Sequence, residues 1–149
     1  MAAPTTAPFE ALVLEVETDT PGTYAKICGM KDFSVGRSAE VDRVETPADC
    51  TDESLPYQIE KDVKSLDFSV SAEAVWSAES HGTLMDWFYS SAAKNVRVQH
   101  VNAASGETEF ETGPAYLTQL DTNRTKGQKV NFGTITIEFD GTPTRTAAA

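Results

Sequence analysis

The chain has 149 residues, enough for one domain built around a single core. Hydrophobic residues make up 40% of it and the net charge is −11. That balance repels phosphate, so stable nucleic-acid binding on the outer surface is not expected, while a free subunit is expected to stay in solution.

Taken in chain order, residues 1–8 form an Ala/Thr/Pro tail, expected to stay loose until something docks on it. The tail has neither a basic segment nor an apolar run, so no signal peptide and no membrane span are expected. Phe9 to Glu17 reads as a strand with Leu12, Leu14 and Val16 on one side. Pro21-Gly22 turns the chain, and Tyr24, Ile27 and Phe33 to Val35 mark two short strands.

From Ser38 to Asp62 no period holds, and Pro47 and Pro56 interrupt the stretch. It reads as a long loop, 38–62, in which Glu40, Asp42, Glu45, Asp49, Asp52, Glu53, Glu60 and Asp62 face only Arg43 and Lys61. Such a segment is either a solvated surface loop or an arm that orders against a neighbouring subunit.

Period two then returns. Leu66, Phe68, Val70, Ala72, Ala74 and Trp76 alternate with polar residues, which predicts one long strand of about 40 Å with one dry face. A strand of that length outreaches a small domain's core, so part of it is expected to pair or pack elsewhere. Residues 80–93 predict the single helix, with Leu84, Met85, Trp87, Phe88 and Ala92 on its apolar face and Ser80 or Thr83 as its cap. Val96 to Val101 and Glu107 to Thr112 read as a hairpin. Pro114 is expected to end regular pairing, which Tyr116 to Leu120 resumes. In the last strand, Val130 to Phe139, the apolar phase shifts between Phe132 and Ile135, and Gly133 is the place for a bulge. Residues 141–149 form a second loose tail.

Chemistry is sparse. His81 and His100 are the only histidines; one lies at the helix start, the other inside a strand with Val96 and Val98, and both read as structural. No nucleophile elbow, phosphate loop, zinc motif, dinucleotide fingerprint or calcium loop is present, so no catalytic, cofactor-binding or metal residue is assigned. Cys28 and Cys50 have neither CxxC spacing nor a nearby histidine and read as reduced thiols. Trp76 and Trp87 fall on faces predicted to be buried, which makes them core anchors rather than a ligand platform. Glu107, Glu109 and Glu111 share one strand face. They form either a wet face with cross-strand partners or an acidic wall that DNA passes without adhering.

The order of segments resembles the phage major tail proteins of the siphophage tail tube type, most of all those of gene transfer agents. The resemblance spans roughly 22–143. It is carried by Gly22, Tyr24, Ile27 and Gly29 in "GTYAKICGMKDFSV", by Glu45, Thr46 and Asp49, by Thr112, Gly113 and Thr118, and by the closing strand from Thr134 to Gly141. Ser54-Leu55-Pro56-Tyr57 departs from the Trp and Gly that many relatives carry there.

The resemblance implies a mainly β domain over 9–140: a sandwich or barrel of two antiparallel sheets with a flanking helix. It implies a non-enzymatic subunit of a virion or phage-like particle tail, assembled in the bacterial cytoplasm. Six copies would form a ring, and rings would stack into a hollow conduit for double-stranded DNA. Tape measure, tail terminator and distal tail or baseplate proteins would be its partners. Glu40, Asp42, Arg43, Glu45, Asp49, Asp52 and Glu53 become inter-ring contact candidates, and Glu107, Glu109 and Glu111 lumen candidates. A hexameric secretion tube of the type VI class shares this architecture, and a monomeric β-sandwich binding module is the remaining alternative.

Overall fold

A computed structural model describes residues 3–149. Short strands β1 (Leu12–Glu17), β2 (Tyr24–Lys26) and long strands β3 (Met30–Thr46) and β4 (Gln58–Val75) precede the single helix α1 (Ala78–Ser90). Strands β5 (Lys94–His100), β6 (Thr108–Asn123), β7 (Asn131–Phe139) and β8 (Thr144–Ala147) follow it. All pairings are antiparallel, in the order β2-β1-β5-β6-β7-β4-β3, with β8 also on β6. The expected mainly β fold with one helix is present. Its two layers are halves of one continuous sheet, and β6 belongs to both.

That sharing explains Pro114, where β6 runs on without the expected break. Thr112 makes the last pair with β8 and Ala115 the first with β7. Between them Pro114 only accepts, its carbonyl taking a 2.8 Å bond from the Asp140 N–H. A residue without an N–H costs nothing where one partner strand has ended and the next begins. The adjacent Gly113 lets the chain cross there, because a Cβ would sit 3.3 Å from Pro143 Cα. The C-terminal tail is therefore partly ordered, since 144–147 pair with β6.

The core lies between the halves. Val96 and Val98 of β5, Val70 and Ala74 of β4, and Phe132, Ile135 and Ile137 of β7 are fully buried, and Leu84 and Trp87 of α1 join them. The helix begins earlier than its pattern predicts, because Ser77 Oγ accepts from the Ser80 N–H at 3.2 Å and so takes the capping role. It ends at Ser91, in the left-handed region at φ 55°. Trp87 is a core anchor, as expected. Trp76 is not: it lies past the end of β4, 38% exposed, donating from Nε1 to His81 Nδ1 at 3.0 Å. The bulge at Gly133 is present and shifts the register against both β4 and β6.

The largest correction falls on 38–62. Most of this stretch is paired, from Ser38 opposite Asp67 to Thr46 opposite Gln58. Only 47–57 lie outside the strands, and Pro47 and Pro56 flank that tip rather than breaking a loop. Periodicity fails because Lys64 is an extra residue in β4: Glu40 pairs with Ser65 but Val41 with Val63. The apolar phase moves from 66, 68, 70 to 59 and 63.

Candidate functional site

Beyond Arg37 and Phe68 the β3–β4 hairpin leaves the body as an arm. None of its residues from 38 to 67 is buried, and Val44, Tyr57, Ile59, Val63 and Leu66 are each more than 40% exposed. Paired residues share a face, so the core face of the body continues outward through Ala39, Val41, Val63 and Leu66 into solvent. The tip is nonetheless shaped. Asp49 Oδ1 accepts from the Thr51 N–H at 2.9 Å and Asp52 Oδ1 from the Ser54 N–H at 3.0 Å. The backbone bond from Thr51, with that from its hydroxyl, holds the Asp49 carboxyl below its usual range; the hydroxyl of Ser54, then its N–H, does so for Asp52.

At the arm's root Arg37 reaches across the core face to Glu111, donating from Nε at 3.1 Å and from its terminal nitrogen to the other carboxylate oxygen. His100 Nε2 lies 2.9 Å from Glu111 Oε1, and since a carboxylate only accepts, that nitrogen carries the hydrogen. Burial pushes the Glu111 carboxyl up, but the hydrogen bonds and charges of Arg37 and His100 outweigh it and leave the net shift downward. The cluster ties the arm's base to β5 and β6.

The opposite face of the β3-β4-β7-β6 half is almost wholly polar. Register places Asp32, Glu40 and Asp42 of β3, Glu60, Asp62, Asp67 and Glu73 of β4, Asp121 of β6 and Glu138 of β7 on it, spaced by Ser34, Ser69, Ser71, Thr134 and Thr136. Among the described residues, the ion pair made by these acids is Glu40 with Lys64 at the bulge, 3.9 Å apart. At its two margins this half has backbone without a strand partner among the described residues: β3 on its outer side, and β6 beyond Ala115 on the side where β5 stops.

The residues singled out from sequence divide accordingly. Glu40, Asp42, Arg43 and Glu45 lie in β3 and Asp49, Asp52 and Glu53 in the tip, all exposed on one arm. Glu107, Glu109 and Glu111 do not make one open wall. Glu107 precedes β6, Glu109 is half-buried, and Glu111 is buried and paired. The acidic face of β3-β4-β7-β6 was missed, although Asp67, Ser69, Ser71 and Glu73 alternate in plain view; their polarity reads as an ordinary wet side. His81 and His100 both have structural partners.

A family model described as phage tail tube protein matches residues 6–145. No match among curated proteins reaches significance. Among solved structures, the fold is similar to the tail of an empty GTA particle with C6 symmetry, at 14% identity, covering 95% of this chain and 100% of that one, TM-score 0.78. It is also similar to a chain of the native gene transfer agent virion, at 13% identity over 95% and 100%, TM-score 0.73. A third likeness is to the baseplate of the anti-feeding prophage, at 15% identity over 99% and 98%, TM-score 0.62. With the family model spanning nearly all of the sequence, the chain belongs to the phage tail tube protein family.

Proposed function

We propose that six copies of this chain close into a ring, that rings stack into a hollow tail tube, and that double-stranded DNA passes through it. The observation that carries the reading is the β3-β4-β7-β6 sheet. It has backbone without a strand partner at two margins among the described residues, an acidic face, and an arm that continues past its own core. Pairing β3 of one copy with the open side of β6 in the next satisfies both margins and removes edges that would otherwise aggregate. The C6 symmetry of the similar GTA tail supports six copies.

The acidic face turns inward. A conduit for a polyanion needs a wall that repels phosphate, because each bound phosphate would have to be released as the strand moves. The arm, including Glu40, Asp42, Arg43, Glu45, Asp49, Asp52 and Glu53, reaches the adjacent ring. Tape measure, terminator and baseplate proteins bound the tube, which works in the tail of a phage-like particle.

The test is a lining reversal, Asp67→Lys with Ser71→Lys, in producing cells. Tubes of ordinary length with sharply reduced DNA transfer are expected. Unchanged transfer would show that this face does not line the channel, and particles without tubes built from this chain would refute the whole reading.

A further inference from the structure

The two ends of the same sheet carry opposite charge. The arm tip, residues 47–57, holds Asp49, Asp52 and Glu53 and no cation. The turn between β6 and β7, residues 124–130, holds Arg124, Lys126 and Lys129 and no acid. All six side chains are exposed. Register fixes their separation: Thr46 pairs with Gln58 beside the tip, and Val75 pairs with Asn131 beside the turn. Along β4 that is about 56 Å at 3.3 Å per residue. Lys31, at the start of β3, adds to the basic end and shares a surface groove with Val75, Lys129 and Val130. The nearest acids on these strands, Asp32, Glu73 and Asp121, lie inward of the turn.

Opposite charges so far apart cannot meet within one copy. They can meet between copies stacked head to tail, and like ends brought together would repel. The tip also brings exposed Leu55 and Tyr57, and the groove offers Val75 and Val130. Its Asx bonds hold the tip in shape, which lowers the ordering cost of docking.

We infer that the acidic arm tip of one copy docks on the basic β6–β7 end of a copy in the next ring, and that this contact sets the direction of stacking. The inference rests on the stacking reading above and adds the receiving surface and the polarity. It requires the 47–57 tip to be covered in the tube and bare in a free ring.

Two charge reversals test it. The tip variant A48K/D49N/D52N/E53K keeps an acceptor oxygen at 49 and 52 for the turns, and the base variant R124E/K126E/K129E changes only exposed side chains. Circular dichroism melts confirm that both fold. Each variant alone should raise the critical concentration for tube growth about tenfold or more, because the contacts of one ring break together. Both sets in one chain should restore growth. Normal growth of either single set overturns the inference, as does failure of the combined chain to recover while rings persist by native mass spectrometry. Absence of tubes from the unaltered chain instead refutes the stacking reading, and the inference with it.

Discussion

Replacing residues 42–62 with Asn-Gly separates what the arm does for assembly from what it does for folding. The cut joins Val41 to Val63, which already pair, and Asn-Gly suits a two-residue hairpin turn. Every residue removed is exposed except half-buried Thr46. No core packing is lost, so stability should change by no more than about 1 kcal/mol, or roughly 3 °C in Tm. Ile135→Ala is the contrast. Its side chain is fully buried beside Ala72 and Leu120, and the loss should be about 2–5 kcal/mol, roughly 6–15 °C. Thermal melts followed by circular dichroism and tube length by negative-stain microscopy read both effects. The shortened chain should melt close to the original and form no long tubes. A melt 10 °C lower would mean that the arm packs on its own body, and tubes of ordinary length would mean that stacking does not use it.

Glu111→Gln should cost about 1–2 kcal/mol at pH 7, below the range for a wholly buried pair because the Arg37 side chain is 45% exposed. The folded Glu111 carboxyl lies below its ordinary 4.5, so its contribution is full above that value and is lost as pH falls through the folded one. Urea unfolding should therefore show the gap between the two chains narrowing from pH 7 to pH 3.5, and a constant gap would refute the assignment. Gly29→Ala should lose about 2–4 kcal/mol, since Gly29 has φ +85° and a Cβ would stand 2.6 Å from the Val75 carbonyl oxygen. Gly22→Ala, with φ +84° but open space around it, should lose only about 1–2 kcal/mol, and equal losses would show that the Val75 approach is unimportant. In a Cys28→Ser background, exposed Cys50 should react with a maleimide many times more slowly in tubes than in free subunits. Equal rates would leave the tip bare in the tube.

Where an element of this chain faces only its own core, its pattern was legible. The alternation from Phe68 to Ala74, the apolar stripe of Leu84 and Trp87, and the phase shift that places a bulge at Gly133 all correspond to elements with one dry side. The arm was not legible, for two separable reasons. Both of its faces are wet in a single copy, so no burial alternation exists to be read, and the extra residue Lys64 moves the phase midway along β4. Glu111 misled for a different reason. On a strand of spaced glutamates nothing local marks the one whose partners, Arg37 and His100, arrive from other strands. Trp76 misled because its alternation continues one residue past the end of β4.

The charge pattern of the arm also governs how the free subunit avoids polymerising in the wrong way. An unpaired strand as long as β3 is ordinarily an invitation to aggregate. Here the arm's two strands carry Glu40, Asp42, Glu45, Glu60, Asp62 and Asp67 against Arg43, Lys61 and Lys64, so two arms approaching side by side meet a net like charge. Only an approach that brings the basic 124–130 turn to the tip turns that repulsion into attraction. A net charge of −11, with an acid-free basic turn at 124–130 opposite a cation-free acidic tip at 47–57, therefore slows random association while favouring one orientation. Raising salt should weaken both terms over a Debye length of about 10 Å at 0.1 M. Disordered association should rise in high salt as directed growth falls, and the balance between them measures how much of the stacking direction is electrostatic.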